Sequence, residues 1–563
     1  MHRKSPALLA GEKETEARAG PAAHRAWPWM APLLLAALAL ASRAPWRGSA
    51  GEPDCARYLM GVMQWLGAGS GAPYIYAKVL SPGYYATAVW VVRHTGAAAA
   101  GLLSQASLWA AVASAPLLYW IGRQFTGETA AFAGTALYLL TPGFWWLGLE
   151  THPQGVSFLF FLLALACYLP TRRPGARVGM RTLAAAVILG AGLLLKNDLI
   201  LLSGIFPALQ LRPLNWRRVW GALAVPGGGL TIFFLGRQAA LGLAWSAAQQ
   251  QTTTEVREFL SWPHGTWILK QVLPLLTAPG LATLGLTMVA LGWGYASHRR
   301  AGAAWRQRWN WLLAAWVIPQ LGFWLAIRGN NARHMAAYIL LPLWAALDWV
   351  VPQLRRGRHP EWTMTAVCVL ALAANALLIP PSSNTTLFPS GNVPASRRDL
   401  AARMDETRAW LDARLTAAPS ACFLGNPTLP YLELALLQAQ PGAALDHEGA
   451  VARHVLLGRS RWSLVGGLRL GAAGARSGRG ASKLPRVAAT RFIEVNSPAE
   501  FRRAAAACGR GGAAAWSLEY TPTGLHQLFF GKEIANLPLL RRWYPGGRAR
   551  PQLPEWKTAR GKH

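Results

Sequence analysis

AAAGLLSQASLWAAVASAPLLYWI, residues 98–121, is an apolar stretch without a charged side chain. At 1.5 Å per residue, a helix of this length measures about 36 Å, which is enough to cross a hydrocarbon core of about 30 Å. Similar stretches recur along most of the chain. We therefore predict a polytopic α-helical membrane protein with about eleven spans, at residues 27–46, 98–121, 129–147, 154–170, 182–195, 198–212, 219–241, 275–297, 309–327, 335–353 and 362–381. The short pair 182–195 and 198–212 is either two crossings or one broken, tilted pair.

The composition of the 563 residues agrees with this class. Hydrophobic residues make up 53% of the chain, and 28 residues are Trp. Only 14% of the residues are charged, against about 25% in a typical soluble protein. A disordered chain is excluded, because such chains are poor in apolar residues. The net charge of +32 does not indicate nucleic-acid binding, since the arginines fall mainly between apolar segments.

The arginine-rich loops predict the orientation of the chain. Basic loops lie on the cytoplasmic side of a membrane, which here predicts a multi-pass protein with a cytoplasmic N-terminus; we expect that membrane to be the inner membrane of the cell. The predicted divisions are a cytoplasmic segment 1–26, a transmembrane domain 27–382 with a long first outer loop 47–97, and an extracytoplasmic tail 383–563. The basic loops carry Arg123, Arg172, Arg173, Arg177, Arg181, Arg212, Arg217, Arg218, Arg299, Arg300, Arg306, Arg308, Arg355, Arg356 and Arg358.

The tail changes character, because it has no apolar run long enough to span a membrane. Residues 421–425 and 491–495 read as short strands. Residues 497–500 (SPAE) form a capping box with Pro at the first helical position, which predicts a helix to about residue 508. The tail is therefore predicted to be a small α/β domain. A Cys422–Cys508 disulfide is compatible with an oxidising compartment.

The first outer loop holds the sharpest chemical pattern. Residues 52–58 (EPDCARY) place Asp54 and Arg57 three apart, on one helix face at the lipid boundary. Asp54 is either a base for an acceptor group or a helix cap; Arg57 is either a phosphate ligand or a snorkelling side chain. Lys78, a lone cation among aromatic and apolar residues, has the same two interpretations.

Later outer loops add further candidates. Glu150 and His152 lie two apart at the mouth of a span, where they form either a second acid/base or part of a divalent-metal site, or simply an interfacial turn ended by Pro. Lys196 interrupts an apolar stretch, and ionisable groups at membrane depth are usually paired or functional, so Lys196 contacts either Asp198 or a lipid phosphate. Arg333 opens the span 335–353 from outside as a further phosphate ligand or an interface arginine.

Taken in order, these motifs resemble those of the GT-C glycosyltransferases, nearest to the family 39-like enzymes that include protein O-mannosyltransferase and aminoarabinose transferase relatives. The family's Asp-Glu-Ala-Arg-Tyr looks like residues 54–58, its Tyr-x-x-Lys-Pro-Pro like 76–82, its Leu-Thr-Lys-Gly-Pro like 194–198, and its Arg-Tyr-x-x-Pro-x-x-Pro like 333–342. The match covers about residues 27–353. Two departures stand out: Cys55 replaces the usual second acid, and Ala77 stands where Glu often precedes the Lys.

The resemblance implies a glycosyltransferase that uses a polyprenyl-phosphate sugar donor and a glycan, lipid or protein acceptor at the outer face. It implies catalytic roles for Asp54 and Glu150, and lipid-phosphate contacts for Arg57, Lys78, Lys196 and Arg333. A divalent metal is an open question, with Glu150 and His152 as candidate ligands. A lipid or sugar transporter and a non-catalytic envelope assembly protein are the alternatives.

Overall fold

The structure is a computed structural model. It describes residues 21–46, 58, 59, 62, 81–96, 99–149, 151–172, 178–211, 216–241, 278–297, 300–326, 336–354, 366, 369, 370 and 373, together with six strands of the tail. Its α-helices are α1 Pro21–Arg43, α2 Pro82–Thr95, α3 Ala99–Phe125, α4 Glu128–Leu139, α5 Pro142–Leu147, α6 Gln154–Tyr168, α7 Val178–Leu195, α8 Ile205–Ala208, α9 Trp216–Leu241, α10 Leu281–Ala296, α11 Arg300–Ala326 and α12 Leu340–Leu354. Short 3-10 segments follow at Ala44–Trp46, Leu169–Arg172 and Asn197–Leu202.

Most predicted spans coincide with one of these helices, but two do not. The stretch 129–147 divides into α4 and α5, because Pro142 lacks the N–H that a continuous helix needs. The stretch 198–212 is a 3-10 segment followed by the four-residue α8, so the interpretation as a broken pair is the correct one there. The last predicted span, 362–381, lies almost wholly outside the described residues.

Large apolar side chains point outward from several helices, which is the reverse of a soluble protein. Val289 of α10 is 71% exposed, and Trp220 of α9 is 68% exposed. Two helical stretches, Gly101–Phe125 and Arg218–Ala239, are long and apolar enough to cross a membrane by length and composition. These features indicate a membrane protein.

The helices pack closely where glycine removes a side chain. A Cβ on Gly134 of α4 would lie 2.6 Å from Cδ1 of Trp344, so α12 inserts this buried indole against α4. A Cβ on Gly190 of α7 would lie 2.7 Å from Cβ of Ile232 in α9. Such small-residue contacts are typical of helix pairs in membranes.

The tail contains a six-stranded sheet. Its strands are β1 Ala421–Gly425, β2 Ala444–Asp446, β3 Arg491–Glu494, β4 Ala514–Thr521, β5 Leu537–Arg542 and β6 Arg550–Pro551, in the spatial order β2-β3-β1-β4-β5-β6. The first four in that order pair in parallel, and β5 and β6 are antiparallel. The strands predicted at 421–425 and 491–495 are β1 and β3. The predicted helix 497–508 and residue 508 of the proposed disulfide lie outside the described residues, so the α/β class of the tail stays a prediction.

Candidate functional site

An aromatic cluster joins the segments predicted to be the first and second outer loops. The Tyr58 ring lies 4.6 Å from the His152 ring, measured between centroids, and the two rings meet edge to face. Tyr58 also stacks on Tyr85 at 5.8 Å and meets Tyr84 at 5.6 Å. The Tyr84 hydroxyl donates to the carbonyl of Thr151 at 2.6 Å. All of the rings in this cluster are at most 5% exposed, so the two loops are packed against each other.

His152 is held in one tautomer by its neighbours. The backbone N–H of Gln154 donates to His152 Nδ1 at 3.3 Å, and a nitrogen that accepts cannot carry the ring proton. The proton of the neutral ring is therefore on Nε2. A metal on Nε2 would require the proton on Nδ1, so this geometry opposes His152 as a ligand through Nε2. No group of three or more His, Cys, Asp or Glu side chains that could hold a metal occurs in the part of the chain that the structure describes.

The third predicted outer segment meets the second at the turn that carries Lys196. Lys196 follows α7 directly and is 6% exposed. The Ser157 hydroxyl donates to the carbonyls of Gly192 at 2.7 Å and Lys196 at 3.2 Å, which ties this turn to α6. One turn earlier, Gln154 Nε2 donates to Asp198 Oδ2 at 3.2 Å. A buried ammonium is stable only when it is paired or hydrogen-bonded, so the fold holds a cation at this turn.

Helix α2 also contacts the end of α7, close to Lys196. A Cβ on Gly83 would lie 2.9 Å from Cβ of Leu194, two residues before Lys196. Only a residue without a side chain lets the first turn of α2 lie against the end of α7. The end of α7 that precedes Lys196 therefore lies against α2, whose Tyr84 and Tyr85 pack on Tyr58 of the aromatic cluster.

A buried arginine that sequence reasoning did not single out fixes the second outer loop to α1. Arg43 is 0% exposed. Its guanidinium donates to the carbonyls of Leu139 at 2.9 Å, Trp145 at 3.1 Å and Phe144 at 3.3 Å. It also donates to Ala39 in its own helix at 3.1 Å. The available signal was a charged residue inside the predicted span 27–46, since ionisable groups at that depth need internal partners.

The structure describes only some of the predicted site residues. Lys196 and His152 are described, and their neighbours bring the second and third outer segments together. The other candidates, namely Asp54, Arg57, Lys78, Glu150 and Arg333, lie outside the described residues, and so their roles remain predictions. Tyr58, which directly follows Arg57, lies in the aromatic cluster.

No family model and no curated protein matches the chain. Among solved structures, the chain is similar to ArnT from Cupriavidus metallidurans, crystallised with undecaprenyl phosphate, with a TM-score of 0.50 and 16% identity over 88% of this chain and 93% of that chain. ArnT has the GT-C glycosyltransferase fold. The present chain has the GT-C fold.

Archaeal enzymes of the same fold also match. The apo oligosaccharyltransferase of Archaeoglobus fulgidus has a TM-score of 0.47 and 10% identity over 73% of this chain. The AglB oligosaccharyltransferase from the same organism, in complex with an inhibitory peptide and a dolichol-phosphate, has a TM-score of 0.43 and 11% identity over 74% of this chain. The chain spans 64% of the length of each of these archaeal proteins. The likeness to ArnT confirms the GT-C fold that the sequence motifs predicted.

Proposed function

We propose that this protein is a glycosyltransferase that moves a sugar from a polyprenyl-phosphate donor to an acceptor on the extracytoplasmic side of the membrane. The observation that carries the proposal is the meeting of three segments, all predicted to lie outside: Tyr58 packs on His152, and the start of α6 hydrogen-bonds the turn that carries Lys196. The GT-C fold and the likeness to ArnT, which was crystallised with undecaprenyl phosphate, support the donor class.

The location of the cluster suits a lipid-linked donor. The Ser107 hydroxyl, one third of the way along α3, donates to the carbonyl of His152 at 3.4 Å. The helix rises about 12 Å from Ala99 to Ser107 and about 27 Å from Ser107 to Phe125, so the cluster lies nearer to the N-terminal end of a helix that is long enough to span. By the positive-inside rule, that end is the outer one. A phosphate can stay at the lipid boundary there while an aqueous acceptor approaches.

The proposed chemistry assigns a role to each predicted residue. Asp54 takes the proton of the acceptor hydroxyl as the oxygen attacks the anomeric carbon, and Glu150 is the second acid of the site. The bond between that carbon and the phosphate oxygen breaks, and its electron pair leaves with the lipid phosphate. Arg57, Lys78, Lys196 and Arg333 are proposed to stabilise this developing charge. Holding both reactants at one interface supplies proximity.

An ion-coupled transporter is the alternative from another class, and one contact bears on it. Asp348 is the clearest acid within the predicted spans. It accepts from Trp309 Nε1 at 2.9 Å and pairs with Arg308 at 3.5 Å. A carboxylate held by an indole and a guanidinium suits a structural role better than ion coupling.

A test in detergent separates these functions, because no gradient exists there. Purified protein should consume an undecaprenyl-phosphate sugar only when an acceptor from its own membrane extract is present. Asp54→Asn should lower turnover about 100-fold or more, with the thermal midpoint unchanged. Asp348→Asn is the matched control carboxylate and should keep turnover. Wild-type turnover by Asp54→Asn would contradict the assignment of the base, and no donor consumption by the wild type would contradict the proposed function.

Further proposals concern the membrane in which the protein lies and the sides on which its termini lie. We infer a multi-pass protein of the inner membrane with a cytoplasmic N-terminus and an extracytoplasmic tail. Hexosyl or pentosyl transfer is the reaction expected. Cysteine-accessibility labelling at position 54 should report the outer side; labelling from the cytosol would contradict both the orientation and the mechanism.

A further inference from the structure

The side-chain amide of Gln154 makes a hydrogen bond through its nitrogen but, among the residues that the structure describes, none through its oxygen. It is the first residue of α6 and is 6% exposed. Its Nε2 donates to Asp198 Oδ2 at 3.2 Å. An ionised carboxylate only accepts hydrogen bonds, so the amide nitrogen must face Asp198. The amide oxygen then faces the other way.

That oxygen has no donor. Gln154 Oε1 is buried, and no described residue donates a hydrogen bond to it. Leaving a buried acceptor unsatisfied costs stability, and most buried polar groups in proteins are paired. A buried amide oxygen fixed in place without a partner therefore points to a ligand that brings a donor of its own.

The position of Gln154 limits which part of a ligand could donate a hydrogen bond to its amide oxygen. Gln154 lies two residues after His152, and its partner Asp198 lies two residues after Lys196. Lys196 is a proposed phosphate contact. In a polyprenyl-phosphate sugar, the group attached directly to that phosphate is the sugar, and its hydroxyls are hydrogen-bond donors. The lipid tail offers no donor, and an ionised phosphate is an acceptor.

We propose that Gln154, oriented by Asp198, accepts a hydrogen bond from a hydroxyl group of the donor sugar and so helps to determine which sugar the enzyme transfers. This inference rests on the proposed function and deepens it. Asp198 acts as a positioning residue, because its carboxylate fixes which end of the amide faces the ligand. Sites built to pair with a substrate hydroxyl discriminate strongly against compounds that lack it.

The test compares two ligands in the purified full-length protein. The probes are undecaprenyl phosphate, which has no sugar, and whichever of a series of undecaprenyl-phosphate hexoses and pentoses the wild type consumes fastest. Gln154→Met keeps the side-chain length but removes the amide. It should weaken binding of the sugar-bearing probe about tenfold, the loss of roughly one hydrogen bond, and leave binding of bare undecaprenyl phosphate within twofold of wild type.

Two further variants make the result specific. Gln210 is a matched control, since it is 5% exposed and its Nε2 donates to Tyr168 Oη at 3.1 Å in another part of the fold. Gln210→Met should bind both probes as the wild type does. Asp198→Asn removes the constraint on the amide and should weaken only the sugar-bearing probe, by a smaller factor. Thermal midpoints without ligand verify that each variant is folded.

The possible results distinguish failure of the role of Gln154 from failure of the glycosyltransferase assignment. Equal weakening of both probes by Gln154→Met, or no weakening of either, overturns the role of Gln154 while the glycosyltransferase assignment stands. If the wild type neither binds undecaprenyl phosphate nor consumes any sugar in the series, the proposed function fails, and the sugar contact fails with it. Selective loss of the sugar-bearing probe supports both.

Discussion

Arg43→Met tests whether one buried guanidinium holds the second outer loop in place. Met has nearly the same length and fills the space, but it donates no hydrogen bond. The substitution removes the donor from three carbonyls outside α1, those of Leu139, Phe144 and Trp145. These carbonyls belong to the end of α4 and to α5, which directly precede the predicted acid Glu150.

The magnitude follows from those contacts. Each buried acceptor that loses its donor costs about 1–3 kcal/mol. Part of this is returned, because the guanidinium no longer has to be buried. We expect a net loss of about 3–4 kcal/mol in the free energy of unfolding. For a helical domain of this size, such a loss lowers the thermal midpoint by about 5 °C or more.

Gly148→Ala perturbs the same contact from the opposite side. A Cβ at Gly148 would contact Arg43 Nε and lie 2.7 Å from Arg43 Cδ. We expect a loss of about 2 kcal/mol. In the Arg43→Met background the flexible thioether can move away, so the same change should cost about 1 kcal/mol less, and the two substitutions are therefore coupled.

The wild type, the two single variants and the double variant form a double-mutant cycle. Thermal unfolding in detergent, followed by the fluorescence of the 28 tryptophans, measures the stability of all four proteins. Ser42→Ala is a control that removes one side-chain acceptor of Arg43 and keeps the backbone contacts. A midpoint for Arg43→Met within about 1 °C of wild type would correspond to less than about 1 kcal/mol and would refute the reasoning. Strict additivity of the two substitutions would refute the contact with Gly148.

Three further outcomes are expected. Lys196→Met should weaken binding of undecaprenyl phosphate about tenfold, measured with the purified protein, whereas an unchanged affinity would remove Lys196 from the phosphate site. Asp348→Asn should lower the thermal midpoint because it leaves Arg308 without its carboxylate partner, yet donor consumption should stay at the wild-type rate; a loss of activity at an unchanged midpoint would argue for a functional acid there. Gly134→Ala should cost about 1–3 kcal/mol, since its Cβ would lie 2.6 Å from Trp344 Cδ1, and a wild-type unfolding curve would show that α4 and α12 can separate freely.

The sequence was sufficient for the helices whose apolar runs are continuous. The runs at 98–121 and 219–241 predict α3 and α9 to within about four residues. The prediction was wrong for 129–147 because the apolar residues continue through Pro142, so composition hides a break that backbone chemistry imposes. For 198–212 the broken alternative was the correct one, because Ser203, Gly204 and Pro207 interrupt the run.

In the candidate site, local sequence patterns identified some buried polar residues but missed two others. Lys196 was recognisable because a charge inside an apolar run is costly wherever the chain folds. Arg43 and Gln154 were missed because their roles depend on partners that lie far away along the chain. Trp145, which accepts from Arg43, is 102 residues distant, and Asp198, which accepts from Gln154, is 44 residues distant. Periodicity and spacing carry no information about such pairs.

The sequence distance between Arg43 and its acceptors has a consequence for biogenesis. A ribosome adds about 5–20 residues per second, so α1 leaves it roughly 5–20 seconds before Trp145 does, given the 102 residues between them. During that interval the guanidinium has no α5 to bind and must remain at the water-facing edge of the bilayer. Nascent chains truncated before residue 139 should therefore hold their first helix loosely in the membrane, and chains that extend past residue 147 should retain it.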